Sequence, residues 1–110
     1  MNFALTNGAV KELCERCPNH DIEKVAELFE TEDMVERLDN MEWFICILSK
    51  WGTKKATGSF DGALTMEKAD LMDINEIGEL FAEAMKTFST DAKPSSEVKP
   101  AKKTKAAPKN

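Results

Sequence analysis

The apolar residues of this chain recur every three or four positions from its first residues to Phe88, which is the spacing of amphipathic helices. Thr6 or Asn7 can cap a first helix that is expected to run to about Cys17. A turn at Pro18 follows. Asp21 can then cap a short second helix, whose apolar stripe is Ile22, Val25, Ala26 and Phe29.

The third predicted helix is the most apolar segment of the chain. It is expected to begin at Thr31 and to end at Gly52, because glycine commonly follows the last turn of a helix. One line of apolar residues along this helix, which we call its seam, has alternating spacings of four and three residues, at Met34, Leu38, Met41, Ile45 and Leu48. Six consecutive apolar residues from Trp43 to Leu48 make its second half apolar on every side. Another helix or another molecule must cover that half.

A glycine-containing loop is predicted over residues 52–64, followed by a short helix that Thr65 caps and that reaches about Met72. A last helix should start at Asp73 and end at Phe88. Gly78 lies within its apolar stripe, which indicates the close approach of another backbone. No strand pattern occurs. The sequence therefore predicts an all-α domain over residues 1–88, a small bundle of about four to five helices.

The pattern stops after Phe88. Residues 89–110 contain three prolines and six lysines, and Val98 is their only large aliphatic residue. Such a segment buries too little apolar surface to offset its chain entropy. We therefore expect a disordered basic C-terminal tail over residues 89–110.

Charge divides the chain in the same place. Residues 1–88 carry nine Lys and Arg against 18 Asp and Glu, whereas residues 89–110 carry six Lys against two acids. An acidic body repels nucleic acid and anionic lipid, and no stretch approaches the roughly 20 apolar residues that cross a bilayer. We expect no membrane partner, no nucleic acid bound by the body, and a cytoplasmic location with reduced cysteines.

Residues that might carry chemistry do not form a convincing site. Cys14 and Cys17 have zinc-ligand spacing with His20, but Cys46 is the only other thiol and a second pair of close ligands is missing. The thiols stand at a helix end, where the dipole does not activate them. The glycines near Gly52 lack the lysine of a phosphate-binding loop. The sequence predicts no enzyme, no catalytic residue, no metal and no cofactor.

The apolar second half of the third helix points instead to protein binding. Trp43 and Ile47 face away from the seam, so we expect them to contribute to a surface for a partner protein or for self-association. The residues predicted to bind protein are Trp43, Ile47, Trp51 and Phe60.

Several short segments of the sequence resemble those of a known protein family. Residues 3–13 read FALTNGAVKEL, the central helix ends in Leu48-Ser49-Lys50-Trp51, and Leu64-Thr65 opens a capped segment before the final helix and the tail. Over residues 3–88 the chain resembles the small tail assembly chaperones of long-tailed, siphovirus-type phages and prophages of Gram-positive bacteria.

The resemblance implies a non-enzymatic role in virion morphogenesis within the host cytoplasm. Such chaperones coat the phage tape measure protein and recruit tail tube subunits. They are often made in a second, longer form by ribosomal frameshifting. Lys102-Lys103 is compatible with the A-rich codons on which a ribosome slips.

Two other functions fit the same residues. The first is a small regulatory adaptor or inhibitor that binds a host protein through the same apolar surface. The second is a nucleic-acid-associated protein that acts through its lysine-rich tail, because clustered lysines bind phosphates nonspecifically. An overlapping downstream reading frame, followed by a very long helical one, would favour the tail chaperone.

Overall fold

The computed structural model describes residues 1–92, and that part of the chain is helical with no strand. Its elements are α1 (Asn7–Arg16), a 3₁₀ turn (Pro18–His20), a 3₁₀ helix (Ile22–Phe29), α2 (Met34–Thr57), α3 (Met66–Asp70) and α4 (Ile74–Ala92). The predicted fold class, a small all-α bundle of four to five helices, is confirmed.

The capping residues account for where most helices begin. Thr6, Asp21 and Thr65, all predicted from the sequence, each accept a backbone N–H bond at the start of their helices. α2 begins later than predicted, because Asp33 rather than Thr31 caps it and accepts two backbone N–H bonds.

The end of α2 corrects the sequence prediction. The helix runs through Gly52 to Thr57 and ends at Gly58, which has the left-handed φ of 86° that glycine adopts without strain. The loop predicted over residues 52–64 is therefore largely helix, and the true connection to α3 is residues 58–65.

Gly52 lies inside α2 because the N-terminal segment crosses the helix there. The backbone N–H of Ala4 donates to the carbonyl of Leu48 at 3.2 Å. A Cβ atom at position 52 would collide with the backbone of Asn2 and Phe3. The glycine thus serves a close approach between two backbones.

α2 is the central helix and contacts α1, the 3₁₀ helix, α3 and α4. Phe44 is fully buried, and its ring meets those of Phe29, Phe81 and Phe88 edge to face at 5.3, 5.7 and 5.8 Å between centroids. Such edge-to-face pairs favour one arrangement of the helices beyond the apolar area they bury.

The predicted seam of α2 is buried over only part of its length. Ile45 and Leu48 have no exposed surface and Met41 packs against the core, but Met34 is 53% exposed. The helix starts at Met34, so its first turn projects beyond the elements that cover the rest.

The second helix has 3₁₀ geometry, which changes its buried face. Residues three apart eclipse one another in a 3₁₀ helix. Leu28 therefore joins Ile22 and Val25 against the core, whereas Ala26, predicted in the stripe, is exposed.

Two predictions for the C-terminal region are corrected. α4 continues to Ala92, so residues 89–92 belong to the helix rather than to the predicted tail. The remainder of that predicted tail, residues 93–110, lies outside the described residues.

The close backbone approach predicted at Gly78 is wrong, because a Cβ atom there would meet nothing within 4 Å. Among residues 1–92, no helix is both long and apolar enough to cross a membrane.

The two helical glycines should respond in opposite ways to alanine. Gly52→Ala should lower the free energy of unfolding by about 1–3 kcal/mol, because the added methyl group forces the N-terminal segment off α2. Gly78→Ala should raise it by roughly 0.5–1 kcal/mol, because alanine fits the open helical site and loses less backbone entropy. Urea unfolding followed by circular dichroism measures both. Equal effects of the two substitutions would contradict this account of Gly52.

Candidate protein-binding site

α1, α2 and the start of α3 frame an open cleft of about 380 Å³. Its lining combines apolar side chains with charged ones at the edge: Glu12, Glu15, Trp43, Cys46, Ile47, Lys50, Leu64, Thr65 and Met66. We call it the Trp43 cleft. Its volume falls in the range of protein pockets that hold small ligands or a few anchoring side chains.

Trp43 and Ile47, two of the four predicted binding residues, both line this cleft. Trp43 is half-buried, and the guanidinium of Arg16 lies 4.4 Å from the centroid of its ring. Arg16 is itself held from α2, by a 2.8 Å hydrogen bond to Asn40 and a 3.3 Å ion pair with Asp39. Ile47 is only 8% exposed. It therefore forms part of the floor rather than a projecting contact.

Trp51 and Phe60, the other two predicted residues, form a second aromatic unit beside the cleft. Their rings are perpendicular within a degree, at 89°, with centroids 5.3 Å apart. Trp51 packs so closely on α1 that a Cβ atom at Gly8 would lie 2.5–2.7 Å from three carbons of its ring. Phe60 is 43% exposed, and the ammonium of Lys54 lies 5.2 Å from its centroid.

Glu12 and Lys50 join the two aromatic units. One carboxylate oxygen of Glu12 accepts a 2.6 Å hydrogen bond from the Lys50 ammonium, and the other accepts a 2.7 Å bond from the Trp51 indole N–H. Lys50 lines the Trp43 cleft, and its ammonium also lies within 6 Å of the Trp51 and Phe60 rings.

The sequence prediction missed both charged residues. Lys50 follows Trp43 and Ile47 at the i, i+4, i+7 spacing of one helix face, so that periodicity was an available signal. Glu12 lies 38 residues before Lys50 in the chain, and no local pattern relates them.

The electrostatics of the cleft favour a charged Glu12. Burial pushes the pKa of its carboxyl upward, but the hydrogen bonds from Lys50 and Trp51 and the charge of Lys50 outweigh that effect and lower the pKa overall. Cys46 behaves differently. Burial first, then the charges of Glu42 and Asp70, raise the pKa of its thiol to about 11. That thiol is neutral near pH 7 and acts as an apolar wall rather than a nucleophile.

Cys14 and Cys17, the two cysteines of the CxxC motif, do not line this cleft. Burial, then the neighbouring Cys14 and Asp21, raise the pKa of the Cys17 thiol to about 11, and His20 is exposed in the 3₁₀ turn. Within residues 1–92, no three His, Cys, Asp or Glu side chains come together in a metal-binding group. The arrangement around Trp43 can thus offer shape, apolar contact and fixed charge to a partner.

Removing the charge of Glu12 should weaken the hydrogen bonds by which Glu12 of α1 holds Lys50 and Trp51 of α2. Glu12→Gln should lower the free energy of unfolding at pH 7 by about 0.5–1 kcal/mol, a small value because the pair is partly exposed. The pKa of Glu12 is lowered in the folded state. Its stabilisation is therefore present above the pKa of an unfolded glutamate and is lost as pH falls through the folded value. Thermal unfolding from about pH 7 to pH 3 should show a shallower acid decline for Glu12→Gln.

Glu15→Gln is the matched control, because Glu15 is an exposed carboxylate in the same helix and at the edge of the same cleft. It should leave the stability and its pH dependence within about 0.5 kcal/mol of the parent chain. If Glu12→Gln and Glu15→Gln had the same stability at every pH, the hydrogen bonds of Glu12 would not stabilise the packing of α1 on α2.

Comparison of the chain with models of known families, with curated proteins and with solved structures gives no match. The fold and the geometry of the Trp43 cleft therefore form the basis on which a function is proposed.

Proposed function

We propose that this chain is a non-enzymatic protein-binding module whose Trp43 cleft receives apolar side chains from a helix of another protein. The observation that supports this most directly is the cleft itself, which three elements of the body shape around Trp43, Ile47 and Met66. An amphipathic helix in an apolar groove is a common mode of recognition, with anchor residues spaced by three or four.

The energetics suit such a partner. A fully buried aliphatic or aromatic side chain contributes about 1.5–3 kcal/mol, so three anchors in the cleft supply roughly 5–9 kcal/mol. Association itself costs at least about 4 kcal/mol, so micromolar binding needs further contacts along the helix beyond these anchors. Tryptophan and arginine are the residues that most often dominate binding energy at interfaces. Arg16 holds the Trp43 ring in place before binding, which reduces the side-chain entropy lost on association.

Within this class we propose a phage tail assembly chaperone, a role that rests on the resemblance over residues 3–88. Its partner would be the tape measure protein, which is long, helical and prone to aggregate through apolar stripes. Covering such stripes with small acidic helical domains keeps the complex soluble, because the outer surface carries a large net negative charge. The same domains would recruit tail tube subunits in the cytoplasm of the host.

The regulatory adaptor and the tail chaperone share the Trp43 cleft and differ in the partner. The genes beside this one discriminate between them. A downstream overlapping frame and a very long helical frame supply the tape measure protein for a direct test, and their absence favours the adaptor.

Acidic substitutions in the cleft should abolish binding to that helical partner. Trp43→Asp and Met66→Asp each place a carboxylate where an apolar anchor must dock, and either should weaken binding by at least about a hundredfold. Calorimetry with the full chain and a soluble helical fragment of the tape measure protein measures this. Met66→Asp adds an acid to the first turn of α3, where the helix dipole tolerates it, so the fold should persist.

Ile74→Asp is the matched control, because Ile74 is 61% exposed and does not line the cleft. It should bind like the parent chain. Circular dichroism verifies the helical content of every variant, and solution mass shows whether the cleft mediates self-association. Unchanged partner binding and unchanged mass in a folded Met66→Asp variant would refute the proposed site.

A further inference from the structure

A second cavity lies on α2, nearer to its N-terminus than the Trp43 cleft. It has a volume of about 260 Å³ and is lined by Val35, Leu38, Asp39, Glu42 and Asp70. We call it the Val35 groove. Val35 is 78% exposed, and Leu71, the residue after Asp70, is 83% exposed. A large apolar side chain as open to water as Val35, which lines the cavity, is typical of a surface that another molecule covers.

The charges of the Val35 groove are unbalanced. Glu42 of α2 and Asp70 of α3 both line the groove, and Asp39 adds a third carboxylate. Arg16 of α1 pairs with Asp39 at 3.3 Å. Burial first, then the hydrogen bond and charge of Asp70 and the charge of Asp39, raise the pKa of Glu42 to about 7. A cation placed here would relieve the repulsion between carboxylates.

The Val35 groove and the Trp43 cleft are both lined by α2 and α3, through different residues of each helix. Met66 at the start of α3 lines the cleft, and Asp70 at its end lines the groove. On α2 the lining residues run from Val35 to Lys50, sixteen residues whose ends are about 22 Å apart along the helix axis. This is the length of about four turns of a partner helix.

The two ends of that span differ in charge. Three carboxylates line the groove, whereas at the far end of the span Glu12 pairs with Lys50, and Lys54 adds a cation beside the Phe60 ring. Complementary charge fixes the register and direction of a bound helix more than its overall affinity.

We propose that the Val35 groove docks the basic end of the same amphipathic helix whose apolar residues enter the Trp43 cleft. The partner is then a helix of about four turns, with an apolar stripe along one face and Lys or Arg clustered at one end. This inference rests on the proposed function and names the chemistry of the partner.

Two synthetic helical peptides of sixteen residues serve as probes. They share one apolar stripe at i, i+3, i+4 and i+7, and three lysines at one end of the first are glutamines in the second. The full chain should bind the lysine peptide about tenfold more tightly at low salt, which corresponds to about 1.4 kcal/mol. Raising the salt concentration should shrink that preference, because exposed charges are screened.

Isosteric neutralisation of the groove tests its part in this preference. Glu42→Gln with Asp70→Asn should reduce the tenfold preference to less than about twofold and leave binding of the glutamine peptide unchanged. Glu27→Gln with Glu79→Gln is the control, since these exposed carboxylates line neither cavity. It should keep the preference intact. In the parent chain the preference should increase as pH rises from about 6 to 8, because Glu42 ionises over that interval.

The outcomes separate the two proposals. If neither peptide binds, the Trp43 cleft is not a helix-docking site and the proposed function fails together with this inference. If both peptides bind equally well, the cleft docks helices but the groove does not select a basic end.

Tighter binding of the lysine peptide after Lys99, Lys102, Lys103 and Lys105 are changed to Gln would assign the groove to the chain's own lysines and overturn the inference. A rise in solution mass that the peptide reverses would assign it to a second copy.

Discussion

The packing of Phe44 determines which side of α2 faces the Trp43 cleft. Its ring has no exposed surface and meets aromatic rings from the 3₁₀ helix and from two positions of α4. Successive residues of an α-helix point about 100° apart. With Phe44 fixed in the core, Trp43 must turn toward α1 and solvent. The cleft is thus a consequence of how the core is packed.

Much of this fold is readable from local sequence. The caps at Thr6, Asp21 and Thr65 and the amphipathic spacing predicted the number and order of the helices. The errors arise where a distant segment decides the outcome. Gly52 resembles a helix stop, but the chain at Asn2 requires the missing Cβ there. Gly58, with lysines in the turn before it, is an equally good stop signal, and only the tertiary contact discriminates between the two.

Part of the candidate site was also predictable from local sequence, and part of it depended on distant segments. The outward position of Trp43 was predictable because six consecutive apolar residues cannot all face one core, whereas Ile47 belongs to the buried core. The cleft that holds them was not, because its other walls come from α1 and from residues 64–66, which are distant in sequence. Glu12 illustrates the difficulty. On the sequence it is one acid on the polar face of α1, yet its two oxygens bind Lys50 and Trp51 of α2.

An open apolar cleft on a small domain normally promotes nonspecific association, because apolar surface is exposed to water. In this molecule the cleft is open, but charged side chains lie against its aromatic rings. Arg16 covers part of the Trp43 ring and Lys50 reaches toward Trp51 and Phe60, so cations shield the aromatic surface while remaining exposed enough to be displaced. The negative charge of the body adds repulsion between copies. On the proposed function, a partner would have to offer both apolar anchors and a charge pattern that fits these charged side chains, so the polar frame of the cleft would provide selectivity while the apolar floor would provide affinity.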